Sequence, residues 1–160
     1  MPVGWRIFRT KYSAIALSGE GARRDGGRWN RPGVPVVYLT DSLPLAVLEL
    51  LVRVQHVGIL SGFSTARVEI PDRVVETIDR KELPDDWRGS PRPEAVVAIG
   101  ERWVREARTA VLQVPSALLP SEKNFVMNPA HRDFSRLRAG PIEPLDFNPR
   151  LAPSVAVGLH

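Results

Sequence analysis

The stretch from Val34 to Gln55, VPVVYLTDSLPLAVLELLVRVQ, constrains the fold more than any other part of the chain. Its β-branched first part, Val34 to Thr40, predicts a buried strand. Asp41-Ser42-Leu43-Pro44 then gives a helix start, with cap candidates two and three residues ahead of a proline. A helix is expected from about Leu45 to Gln55. Apolar residues fill most of its circumference, while Glu49 and Arg53 fall side by side on the wheel. A carboxylate in such a helix lies either on a narrow wet stripe or against a site. The first option is an i, i+4 Glu–Arg pair of roughly 0.2–0.5 kcal/mol.

The rest of the chain mixes strands and helices without a βαβ rhythm. Trp5–Arg9 and Phe63–Ile70 alternate as strands, and Val74–Ile78 predicts a short one. Ser13–Gly27, with four glycines, reads as an irregular loop, and Asp85–Pro93 as a proline-rich surface loop. Glu94–Arg108 is amphipathic with helical period. Thr109–Val114, Lys123–Met127 and Ile142–Phe147 complete the strands. No GxGxxG follows a strand and no GxxxxGK[ST] occurs. The expectation is an α+β fold, one compact domain over residues 1–160 with a mixed sheet and flanking helices, and a loose tail from about 153.

The apolar run around Pro44–Val57 is broken by Glu49, Arg53 and Gln55, too short and too charged to span a bilayer. The first residues, MPVGWRIFRTKY, have no apolar core of a signal peptide, so a cytoplasmic protein is expected. The chain has no cysteine, which removes disulfides, thiolate zinc sites and thiol catalysis. Net charge is +4, and nearly all of the 22 basic residues are arginines. Arginine suits phosphate and carboxylate, but these are dispersed and form no nucleic-acid-binding block. His56, His131 and His160 show no ligand spacing, so chemistry without a metal is expected.

Five other residues are candidates for chemistry. Arg6 sits in a strand that otherwise reads as buried and therefore needs a partner, either an acidic neighbour or a phosphate. Arg6 and Arg9 lie on opposite faces of that strand, and the spacing does not choose between them. Arg28 follows a Gly26-Gly27 pivot. Tyr38, at a strand end, is either a rim tyrosine or a platform for a flat ring. Ser116, between Pro115 and Pro120, lacks a GxSxG context and reads as a turn residue or a fixed hydrogen-bonding group. Asn124 and Asn128-Pro129 are ordinary turn signals when taken alone.

Taken together and in order, these pieces resemble the RES domain family. They are Trp5-Arg6-Ile7, the loop SGEGARRDGGRWN, the strand GVPVVY ending on Tyr38, and the helix AVLELL with Glu49. VPSA with Ser116 and NFVMNP from Asn124 follow. The resemblance implies a fold similar to the ADP-ribosyltransferase toxins and a toxin of a bacterial toxin–antitoxin pair. It implies NAD⁺ as substrate, cleaved at the nicotinamide–ribose bond without a metal, with ADP-ribose passing to water, phosphate or a protein. It implies Glu49 as catalytic carboxylate, helped by Arg28 and Tyr38. Arg6, Arg28, Tyr38, Ser116 and Asn124 are the implied ligand-binding or site-shaping residues. The implied partner is a helix-turn-helix antitoxin that covers the cleft, with a homodimer within the complex as an option. DNA contact then belongs to the partner. The competing readings are a protein ADP-ribosyltransferase using the same site and a nucleic-acid-binding or RNA-cleaving module. The latter needs clustered basic residues and a histidine acid–base pair.

Overall fold

A computed structural model describes residues 1–54 and 61–151. Its strands are β1 (Val3–Arg9), β2 (Val37–Thr40), β3 (Phe63–Glu69), β4 (Val75–Thr77), β5 (Val111–Pro115), β6 (Lys123–Met127), β7 (Arg138–Ala139) and β8 (Glu143–Pro144). They form one sheet in the order β4-β5-β6-β2-β1-β3-β7, with β8 also on β3. The β4–β5 pair is parallel and the other pairs are antiparallel. The helices are α1 (Glu20–Asp25), α2 (Leu43–Arg53) and α3 (Glu94–Glu106).

Strand alternation divides the core between the two faces of the sheet. On one face Val36, Leu112, Val114 and Val126 pack with Val96 and Trp103 of α3 and with Trp29 and Trp87. On the other, Val37, Leu39, Phe125 and Met127 pack with Val68, Ile70 and Val111. Each such burial contributes roughly 1.5–3 kcal/mol. A third cluster joins Ala46, Leu50 and Val54 of the α2 segment to Ile7 of β1 and Phe63 of β3. Helix α2 is therefore seated on the β1 end of the sheet. Its apolar stripe continues outward, since Leu48 and Val52 remain 46% and 62% exposed.

Several boundaries differ from expectation for local reasons. β2 begins at Val37, not Val34, because Pro35 has no N–H to offer a ladder and the Asn30 side-chain amide donates to the Val34 carbonyl (2.9 Å). α2 begins two residues early. Ser42 caps it by accepting from the Leu45 N–H at 3.3 Å, with Pro44 in the first turn. Its expected end at Gln55 lies outside the described residues, as does the tail from 153. The expected loop Ser13–Gly27 is ordered into a 3₁₀ segment (Thr10–Ile15) and α1. Gly19 and Gly26, at φ 79° and 75°, bracket α1. α3 ends at Glu106, because Ala107 turns left-handed at φ 49°. Of Ile142–Phe147 only Glu143–Pro144 pairs as strand. No described helix is long and apolar enough to cross a membrane.

Candidate active site

The sheet opens between β1 and β2. Their register is a single pair, Trp5↔Thr40, whereas β1 stays paired to β3 from Val3↔Glu69 to Arg9↔Phe63. Beyond that pair β1 no longer satisfies the β2 backbone, and the Arg6 guanidinium takes over. Its Nη1 donates to the Tyr38 carbonyl at 3.1 Å and its Nε to the Ala16 carbonyl at 2.7 Å. A cleft of about 610 Å³ opens at this parting, a volume typical of small-molecule sites, which run from about 300 to 1,000 Å³.

Arg6, Arg28, Tyr38, Glu49 and Asn124 all line that cleft. Arg9 does not: it is exposed, with its guanidinium 5.1 Å from the Phe63 ring centroid. Arg6 has no carboxylate partner among the described residues, so of its two possible partners the acidic neighbour is not found there, and backbone carbonyls hold it. Burial, and then the nearby charge of Arg53, push its pKa down to about 10.

Glu49 projects from α2 toward the end of β6. Its Oε1 accepts from Asn124 Nδ2 at 2.9 Å and from Ser116 Oγ at 3.3 Å. Oε2 has no hydrogen bond among the described residues. Register explains the meeting. Asn124 lies opposite Thr40 on β2 and opposite Val114 on β5, two residues before Ser116. No ion pair joins Glu49 to Arg53, so the i, i+4 pair that the helical wheel allowed is not formed. Ser116 is fully buried, and its Oγ also accepts from the Leu118 and Leu119 N–H groups. It stands behind Glu49 and not at the cleft surface, so its reach toward a ligand runs through that carboxylate.

The opposite wall is the Gly26–Asn30 loop. Gly27 lies against the Tyr38 ring so closely that a Cβ there would stand 2.5 Å from the phenol oxygen. That oxygen donates to Asn30 Oδ1 at 2.6 Å and accepts from the Trp29 N–H at 3.0 Å. Burial therefore raises the Tyr38 pKa, opposed in part by these bonds and by the charges of Arg92 and Arg28. Arg28 reaches across to the Trp87 and Gly89 carbonyls with Nη1, at 2.8 and 3.0 Å. Burial is also the main cause that lowers its pKa. Trp29 is buried in one core cluster with Trp87 and Trp103.

Asn30 is the residue that sequence reasoning missed. It has no exposed surface, and its amide nitrogen donates to the Ala22, Arg31 and Val34 carbonyls. One side chain thus joins α1, the loop and the lead-in to β2. No spacing rule marks it, since asparagine after a glycine pivot is an ordinary turn residue. His131 is buried away from the cleft, with Nε2 at the Ala107 carbonyl and Nδ1 accepting from the Asp133 N–H. His56 and His160 lie outside the described residues. No group of three or more acidic or histidine side chains suited to a metal occurs among the described residues.

The RES domain profile matches residues 3–148. Toxin Res of Yersinia enterocolitica serotype O:8 is 37% identical over 149 residues, 92% of this chain and 97% of that protein. The Prs ADP-ribosylating toxin of Sphingobium sp. (strain YBL2) is 37% identical, covering 92% of this chain and 94% of that protein. The NAD(+) phosphorylase MbcT of Mycobacterium tuberculosis shares a segment of 36 residues at 58% identity, 22% of this chain and 19% of that protein. The crystal structure of the M. tuberculosis MbcT–MbcA toxin–antitoxin complex superposes with a TM-score of 0.76 at 22% identity, covering 94% of this chain and 86% of that one. That likeness is one of fold. The profile match and the full-length relatives place the chain in the RES domain family.

Proposed function

We propose that this chain is the toxin of a toxin–antitoxin pair and that it consumes NAD⁺, breaking the nicotinamide–ribose bond and passing ADP-ribose to phosphate or water. One observation carries the reading. Glu49 is held on Oε1 by Asn124 and Ser116, while Oε2 has no hydrogen bond among the described residues, in a cleft lined by arginines. A carboxylate so fixed stabilises positive charge, and heterolysis of an N-glycosidic bond builds that charge on the ribose as an oxocarbenium ion. The C1′–N electron pair goes to the ring nitrogen, and the cationic ring leaves as neutral nicotinamide without a general acid. Arg28 and Arg6 offer guanidinium groups to the pyrophosphate. Tyr38 offers its ring to the pyridinium. Its hydroxyl is committed to Asn30 and is not the proton donor. No step requires a metal.

The partner in this reading is a helix-turn-helix antitoxin in the cytoplasm that covers the cleft, with room for a homodimer of the toxin in the complex. Exposed Leu48 and Val52, on the helix that presents Glu49, offer an apolar seat for a covering segment. The net charge of +4 favours an acidic one. The chain would act as a single domain over residues 1–160.

A second reading, transfer of ADP-ribose to a protein, is favoured by the name of the Sphingobium relative. Mass spectrometry of products after NAD⁺ incubation in phosphate buffer, with and without cell lysate, separates the fates. Nicotinamide should be released, together with ADP-ribose or its phosphate ester. Release should fall by about 10²-fold or more in Glu49→Ala while the protein still folds, as a cooperative melting transition would show. Intact NAD⁺ in every condition refutes the proposal, and a modified lysate protein as the main product favours the second reading.

A further inference from the structure

Arg53 ends α2 one helical turn beyond Glu49 and lines the same cleft. It makes no hydrogen bond or ion pair among the described residues. Other arginines of this chain do find carboxylates: Arg23 at Glu20, Arg31 at Glu101, Arg108 at Glu76 and Arg136 at Asp133. At i, i+4 spacing a Glu–Arg pair ordinarily closes on itself. Here Glu49 is turned instead to Asn124 and Ser116, which leaves Arg53 exposed at the rim of the cleft that Glu49 also lines. The imbalance extends across the cleft. Among the described residues its lining arginines are Arg6, Arg28 and Arg53, and its lining carboxylates are Asp25, bonded to Arg24, and Glu49. Arg6 is near enough for the charge of Arg53 to disfavour its own.

The position of Arg53 distinguishes its ligand from the NAD⁺ pyrophosphate. Of the two arginines offered to the pyrophosphate, Arg28 stands with the glycine loop on the opposite wall and Arg6 is anchored through Nε and Nη1 to the Ala16 and Tyr38 carbonyls, whereas Arg53 is uncommitted among the described residues and stands on the helix of the reacting carboxylate. An anionic nucleophile approaching ribose C1′ there meets repulsion from Glu49, and a neighbouring guanidinium removes it. Water needs no such counter-charge. We infer that Arg53 holds inorganic phosphate, the acceptor, beside Glu49 and so directs the reaction toward phosphorolysis. This rests on the NAD⁺ reading above. In the step, the C1′–N bond breaks with its electron pair passing to the nicotinamide ring nitrogen. A phosphate oxygen forms the new C1′–O bond. Hydrogen phosphate and NAD⁺ give the 1-phosphate ester of ADP-ribose and neutral nicotinamide, and the remaining phosphate proton leaves to solvent.

The test is steady-state kinetics of the full chain, free of its partner, with inorganic phosphate varied at constant ionic strength. Wild type, Arg53→Ala and Arg53→Lys are compared, with melting temperatures as the folding control. The wild-type rate should rise with phosphate and the phosphate ester should dominate the products. Arg53→Ala should raise KM for phosphate at least tenfold while KM for NAD⁺ changes less than threefold, and Arg53→Lys should regain part of the loss. An unchanged KM for phosphate, an equal rise in KM for NAD⁺, or a wild-type rate indifferent to phosphate overturns the assignment of Arg53. Failure of the wild type to release nicotinamide in any buffer removes the NAD⁺ reading itself, a separate and recognisable result.

Discussion

Glu49 meets the cleft with one oxygen held by two neutral donors, Asn124 and Ser116. Replacing Asn124 by aspartate would set a second carboxylate against Oε1 and make the pair share a proton. Asn124→Asp should therefore lower kcat at neutral pH by about 10- to 100-fold and move the acidic limb of the pH–rate profile upward. A profile that keeps its acidic limb in place would mean that Asn124 does not act through Glu49. Tyr38 gives a second pH-dependent test. Burial raises its pKa, so the fold favours the neutral phenol. Its contribution to stability is complete below the ordinary tyrosine pKa of about 10 and is lost as pH climbs beyond it. The tyrosinate absorbance of Tyr38, isolated by subtracting the Tyr38→Phe titration, should rise only above pH 10 and together with loss of near-ultraviolet dichroism. A Tyr38 signal near pH 10 in a still-native protein would contradict the closed Asn30–Tyr38 bond. At this scale residue type made the lining groups legible, because an arginine or a glutamate among apolar neighbours needs a reason. The positioning groups were not legible. Asn30 resembles an ordinary turn residue until Tyr38 is brought to it, and Ser116, named as a turn residue or a fixed hydrogen-bonding group, gains its partner only when Glu49 is brought to it by a contact distant in sequence.

Elements whose periodicity and punctuation agree were legible close to their true bounds. Lys123–Met127 is one, and Phe63–Glu69, closed by Pro71 soon after, is another. Elements fixed by tertiary contact were not. The start of β2 depends on the Asn30 amide, and α1 depends on glycines that also serve in loops. Gly100 is the strongest such case. On the sequence it is a tolerable flaw in an amphipathic helix. In the fold a Cβ there would stand 1.9 Å from the Trp29 carbonyl oxygen, so glycine is what lets α3 meet the cleft loop. Gly100→Ala improves helix propensity yet should destabilise the protein by about 1–3 kcal/mol through overpacking, measured by denaturant unfolding. It should also raise KM for NAD⁺, because the displaced segment carries Arg28 and rests on Tyr38. A stability equal to or above wild type would show that α3 and the loop move apart at little cost.

For the whole molecule, the parting of β1 from β2 ties fold to site. The sheet gives up ladder bonds beyond Trp5↔Thr40, and the carbonyl of Tyr38 is satisfied by the Arg6 side chain instead. The resulting opening faces solvent beside exposed apolar residues of α2, so an active chain is uncovered unless a partner sits on it. Expressed alone in a bacterium, the chain should therefore halt growth, and cellular NAD⁺ should fall before viability does. Expression of Glu49→Ala should leave both near normal, because the substitution removes the charge that stabilises the transition state. Co-expression of the antitoxin of the proposed pair should restore growth, and the restoration should weaken when Leu48 and Val52 are both replaced by aspartate, which leaves the α2 core contacts of Ala46 and Leu50 in place. The order of events is decisive. Growth arrest with undiminished NAD⁺ would place the toxic activity on another substrate, whereas NAD⁺ loss that leads the arrest ties the open cleft to the fate of the cell.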